Sequence, residues 1–167
     1  SGAGNGTGPV FEAEAATLSG GAVVESNHAG YSGTGFVGGF TDANAGAARL
    51  TFGVTATSGS KDLALRYANG TPTARTLSLY VDGTKHAQVT LPPTGAWSTW
   101  GTVVTTLTLS AGNHDISYRY DAGDNGNANL DRLDVSANVP PQPAGPGEAE
   151  GAYFSGGVTV GTATSGF

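Results

Sequence analysis

The sequence predicts an all-β chain folded as an antiparallel β-sandwich of the jelly-roll kind, and three observations carry that prediction. Apolar residues recur at every second position over short runs, which is the period of a half-buried strand. Turn-forming pairs separate those runs at short intervals. No stretch repeats its apolar residues at the 3.6-residue period of an amphipathic helix. About eight to ten short strands at this spacing suit two packed sheets.

The runs follow in order. Leu50, Phe52 and Val54 alternate with Thr51 and Gly53, and Leu63, Leu65 and Tyr67 alternate with Ala64 and Arg66. Leu77, Leu79 and Val81 form the next set, followed by Val103, Thr105, Leu107 and Leu109. Ile116, Tyr118 and Tyr120 share one parity, as do Asp131, Leu133 and Val135. The pairs Asn69-Gly70 and Asp82-Gly83 and the stretches "PPTG" and "AGN" mark turns between them. Asp82-Gly83 followed by "TKHAQVTL" predicts a tight hairpin.

Composition narrows the function. The chain has 167 residues, 38% hydrophobic and only 12% charged, with 28 glycines and a formal net charge of −6. A neutral, hydrogen-bonding surface is expected. The acidic balance argues against nucleic acid, whose phosphates need a basic face. No cysteine is present to form a disulfide or do thiol chemistry. No apolar run reaches the roughly 18 residues of a membrane span, and no signal peptide is evident.

A repeat organises the chain. Shifting the sequence by 136 positions sets residues 12–31 on 148–167 without a gap, and nine of the twenty positions are identical. "EAEAATLSGG" answers "EAEGAYFSGG". A period this long is a domain repeat rather than a solenoid unit. Residues 1–9 read as a flexible segment, 10–137 as one complete module, 138–147 as a Pro-rich linker and 148–167 as the start of a second, similar module.

Glu12 and Glu14 stand out as chemistry. Two apart on a strand, they would point the same way at about 6–7 Å. Two such acids repel unless a cation lies between them, and a hard ion such as calcium takes six to eight oxygens. Asp131, in the last predicted strand, is the candidate third ligand. The alternative is a glycosidase pair, but a hydrolase needs its carboxyls on different elements across a cleft. Elsewhere catalytic signals are weak. His28, His86 and His114 match no zinc spacing, no G-x-S-x-G occurs, and the G-x-G-x-x-G at 33–38 lacks a strand–helix setting. The loops, in contrast, are rich in aromatic and amide groups. They carry Tyr31, Asp42 and Asn44, then Asn69 and Arg75, then Trp97 and Trp100, then Asp124, Asn125, Asn127 and Asn129. Rings that stack on C–H faces and amides that bond hydroxyls are the usual apparatus for sugars.

"FEAEAATLSGG", "GYSGTGFVGGF", "LALRYANG", "RTLSLYVDG", "LPPTGAWSTWGT" and "NANLDRLDV", in this order, resemble the calcium-binding carbohydrate-binding modules of families 35 and 6, over about residues 10–136. The long Gly-rich loop and "RYANG" favour family 35. The resemblance implies a galactose-binding-like sandwich that does no chemistry and holds a linked glycoside-active enzyme near polysaccharide. It implies a secreted, extracellular and monomeric module. It places structural calcium at Glu12, Glu14 and Asp131, with backbone carbonyls around residues 32–35. Its sugar site would use Tyr31, Asn69, Arg75, Trp97 and Asn125 or Asn129. The expected ligand is a uronic acid-containing glycan, which some members bind through a second calcium, and Asp42, Asn44 and Asp124 would serve that ion beside Arg75. Neutral galacto- or manno-configured glycans are the alternative ligands, a small hydrolase using Glu12 and Glu14 the alternative activity, and an adhesin-like structural repeat the remaining class.

Overall fold

A computed structural model describes residues 8–139. The linker and the second repeat expected beyond, like residues 1–7, lie outside the described residues. Strands β1 (Val10–Glu12), β2 (Thr17–Ser19), β3 (Val23–Glu25) and β4 (Phe36–Gly38) are short. Longer strands follow: β5 (Arg49–Ala56), β6 (Gly59–Ala68), β7 (Arg75–Val81), β8 (Thr84–Leu91), β9 (Gly101–Leu109), β10 (Gly112–Arg119) and β11 (Asn129–Ala137). They form two antiparallel sheets, one ordered β3-β4-β11-β6-β9 with β1 also on β11, the other β2-β5-β10-β7-β8. Packed face to face, the sheets make the β-sandwich that the alternation predicts.

The inward parity is the predicted one along most strands. Leu50, Phe52, Val54, Leu63, Leu65, Leu77, Leu79, Leu107, Leu109, Ile116, Tyr118, Leu133 and Val135 are all buried in one core. Each such side chain taken from water contributes about 1.5–3 kcal/mol. The Asp82-Gly83 hairpin forms as expected between β7 and β8, with φ of 51° and 83° at the two residues, the twist that suits the flanking strands.

One strand departs from simple alternation where it bears on function. The register of β11 shifts between Leu130 and Arg132, leaving Asp131 as the extra residue of a β-bulge. Leu130 pairs with Tyr67 on one side of the bulge and Leu133 with Leu65 on the other. A bulge sets two successive side chains on one side of the sheet. Asp131 therefore sits on the side of Arg66 and not, as its parity suggested, with Leu133 and Val135. On the far edge of β11, β4 pairs at Leu130 and β1 pairs at Arg132–Asp134, so the bulge lies where β1 hands over to β4.

The hairpin end carries a pH-sensitive contact. His114 Nδ1 lies 2.7 Å from Asp82 Oδ2, and Nε2 lies 2.8 Å from the Ser110 carbonyl. Both partners only accept, so the doubly protonated ring satisfies both. The Asp82 carboxylate and then the Ser110 carbonyl raise the His114 pKa above 6.5. A raised pKa gives stability that is complete below the unfolded value and is lost as pH climbs through the folded one. Melting temperatures of wild type and His114→Gln should differ at pH 6 and draw together by pH 9. A gap that stays constant would refute this account.

Candidate functional site

Two groups of polar side chains are built at neighbouring places, and both depend on the connection 26–35 between β3 and β4. The first is acidic. Glu12 closes β1, and the chain then turns through a 3-10 segment, Ala13–Ala15, anchored by fully buried Ala13. Glu14 thus lies on this turn and not on the strand, which corrects the expected strand geometry of the pair. The turn swings Glu14 towards Glu12 and the bulged Asp131, so that one carboxylate oxygen from each lies within 4.8 Å of the others. Asp131 is completely buried. Among the described residues this is the one group of three or more acids or histidines close enough to share a metal ion.

The connection 26–35 caps the acids with donors. The Ser32 backbone N–H donates to both Asp131 oxygens at 3.0 and 3.1 Å, and its hydroxyl donates to Glu12 Oε1 at 2.8 Å. The Thr34 N–H donates to Glu14 Oε2 at 2.9 Å. Arg66 donates to Asp131 Oδ2. At Ser32 and Thr34 the groups that meet the acids are N–H donors. One buried oxygen of the cluster remains unmatched: Glu14 Oε1 has no hydrogen-bond partner among the described residues. A buried carboxylate oxygen left bare is costly, and a hard cation among three carboxylates removes that cost. The residues therefore fit a calcium ion. They fit a hydrolase pair poorly, because Glu12 Oε1 and Glu14 Oε2 are already engaged by Ser32 and Thr34 of the same short connection rather than set across a cleft.

The second group lines a cleft of about 220 Å³. Its walls include Glu25, His28, Thr41, Trp97, Asn127 and Asn129. The Trp97 indole stacks on the His28 ring, centroids 6.1 Å apart and planes 27° apart. Fully buried Phe36 supports the wall from behind, 5.9 Å from His28, 5.8 Å from Tyr31 and 5.4 Å from Trp100. Glu25 Oε1 and Asn129 Oδ1 both face Gly38. Among the described residues, no Lys or Arg lines this cleft.

The expected site residues divide. Trp97 and Asn129 line the cleft, and Tyr31 packs against Phe36 beneath it. Asn69 does not face it. Its side chain is completely buried, donates to the Thr73 and Leu91 carbonyls and accepts from the Thr71 N–H and hydroxyl. All its hydrogen-bonding capacity is used, so it shapes the 69–74 connection. Arg75 Nε is held by the Thr71 hydroxyl. Asn125 accepts from the Thr76 N–H and donates to the Ala74 carbonyl. Both lie outside the cleft lining. The residues of the expected second ion set are each engaged in hydrogen bonds. Asp42 accepts from Asn127 and Tyr120, which hold its carboxyl below the ordinary range. Asn44 donates to the Gly39 carbonyl, and Asp124 accepts from Ser78 and Gln88.

His28, Glu25 and Thr41 escaped the sequence reading as ligand-facing groups. His28 registered only as a failed zinc ligand, and nothing in "VVESNHAG" shows that the chain doubles back to lay it on an indole seventy residues away. Gly70 has a comparable hidden role. A Cβ there would lie 2.6 Å from the Trp97 ring. Gly70→Ala should displace the indole and weaken glycan affinity by about tenfold, read by calorimetry, without itself touching a ligand. Unchanged affinity would show that the ring tolerates displacement.

A sandwich whose rim carries an aromatic and amide cleft beside an acid cluster is the architecture of a glycan-recognising module. Residues 12–137 match the family "Carbohydrate binding module (family 6)", and the chain belongs to it. It is 44% identical over 131 residues to a 1,6-alpha-glucosyltransferase of Sporosarcina globispora, and 43% identical over 128 to a cycloisomaltooligosaccharide glucanotransferase of Niallia circulans. These matches cover 77% and 75% of the chain but only 10% and 13% of those proteins. The fold superposes on a family 35 carbohydrate-binding module from Clostridium thermocellum with a TM-score of 0.70 and 31% identity, covering 78% of this chain and 98% of that one.

Proposed function

We propose that the module binds a neutral glycan in the Trp97 cleft and thereby holds a covalently linked, secreted carbohydrate-active enzyme on its polysaccharide, with a second, similar module beginning at residue 148. The observation that carries the reading is the cleft lining: an indole to stack on a sugar face, the Asn129 amide and the Asn127 Oδ1 for hydroxyls, and the Glu25 carboxylate with no Lys or Arg in the lining. An anionic sugar would meet Glu25 without compensation. The names of the Sporosarcina and Niallia relatives make isomalto-oligosaccharides the first ligands to test. Calcium at Glu12, Glu14 and Asp131 would supply fixed positive charge that holds the acids together, and the bare Glu14 Oε1 supports it.

A second reading has its own observation. Glu25 Oε1 and Asn129 Oδ1 face one point and offer oxygens to a cation that could bridge to a uronic acid. Calorimetry with calcium present separates the two. Isomaltotriose should bind and glucuronic acid should not. The reverse result would overturn the neutral-glycan reading in favour of a uronate held through an ion in the cleft.

A further inference from the structure

We propose that Arg66 is a positioning residue that couples cation binding at Glu12, Glu14 and Asp131 to glycan binding at Trp97, acting through the connection 26–35. The proposal rests on the cation and glycan readings above and adds the link between them.

The connection is fastened at two ends. Ser32 and Thr34 are hooked to the three acids. His28, four residues earlier, is stacked on Trp97. Four residues span at most about 14 Å, so a shift at one hook reaches the other unless something between absorbs it. Arg66 occupies that middle position. Its Nη1 donates both to Asp131 Oδ2 and to the Gly30 carbonyl, the latter at 3.0 Å. Its guanidinium lies 5.5 Å from the centre of the Trp100 ring. The Trp100 Nε1–H in turn donates to the Ala29 carbonyl at 2.9 Å. One arginine therefore ties the buried acid to the backbone immediately before Tyr31, and Trp100 continues the tie to the residue after His28.

Charge gives this tie two states. With a cation bound, the three carboxylates are drawn together and hold the hooks. Without it they repel across less than 5 Å, and Arg66 offsets only the charge of Asp131. The acids then part, Ser32 and Thr34 loosen, and His28 leaves the indole. A cation that favours the seated connection must favour the glycan that needs it, and the glycan must favour the cation by the same factor.

The test uses the two-tryptophan sequence. Emission lost on Trp97→Phe identifies the share that belongs to Trp97 while Trp100 keeps its tie. Saturating calcium chloride should shift that emission with no sugar present. Adding Arg66→Met should cut the shift at least about threefold while calorimetry still detects calcium binding. Arg66→Lys, which keeps the charge but lacks the planar fork that meets Asp131, Gly30 and Trp100 together, should act in the same direction and covers the case in which the methionine variant fails to fold. In wild type, calcium should tighten isomaltotriose binding by about tenfold. Calcium binding with Trp97 emission and sugar affinity unchanged would overturn the coupling and leave the cation reading intact. An undiminished shift in both Arg66 variants would overturn the role of Arg66. Absence of any calcium binding would overturn the proposal and the cation reading together.

Discussion

Replacing Trp97 with alanine should abolish measurable glycan binding and leave the sandwich folded. Trp97 is the one large ring that both lines the cleft and remains partly open to solvent, backed by His28 on one face and pressed by Gly70. Truncating a tryptophan that anchors a ligand costs about 2 kcal/mol or more, about a 30-fold loss of affinity. The ring takes no part in the central hydrophobic cluster, so the melting temperature should fall by less than about 5 °C. Calorimetry and thermal melts on the same preparation check both halves. A variant that binds normally would place the ligand elsewhere on the module.

The opposite pattern is expected at Asp131. It is wholly buried, accepts the Ser32 N–H and pairs with Arg66. Asp131→Ala leaves those donors without an acceptor and breaks the acid cluster. Removing one member of such a pair costs about 3–5 kcal/mol when both are buried. The Arg66 side chain is 26% exposed, so about 3 kcal/mol is the better figure, or about 10–15 °C for a domain of this size. Chelation should produce a shift of similar size in wild type, because a ligand at a thousandfold its Kd stabilises by about 4 kcal/mol. It should produce almost none in Asp131→Ala. A wild-type melt indifferent to chelator would remove calcium from the account, and a variant still stabilised by calcium would place the ion away from Asp131.

The long strands were legible because one face of each is buried. Leu50, Phe52 and Val54 or Leu63, Leu65 and Tyr67 cannot alternate so regularly by accident when their neighbours are Thr, Gly and Ala. Strands β2, β3 and β4 have three residues each, too few to display a period, and they became visible only through their pairing. The acid cluster was legible in membership and not in shape. Residue types and spacing pointed to Glu12, Glu14 and Asp131, but a 3-10 turn and a bulge, neither of which leaves a mark in the text, bring them together. The cleft was the least legible part. Asn69 looked like a ligand because it sits in an amide-bearing loop and the resemblance placed it in the sugar site, yet a buried carbonyl-rich corner recruited its amide. His28 looked idle because its meaning depends on where a loop of small residues lies in space. Short-range rules describe backbones well, and they say little about which side chain a distant loop will cover.

The path of β11 has a mechanical consequence. It starts at Asn129 on the cleft wall and runs nine residues to Ala137, about 26 Å of extended chain. There the Pro9 carbonyl accepts from the Val135 N–H beside it. Both ends of the described chain thus lie side by side, most of a strand's length from the Trp97 cleft, so a change at either end leaves the cleft wall in place.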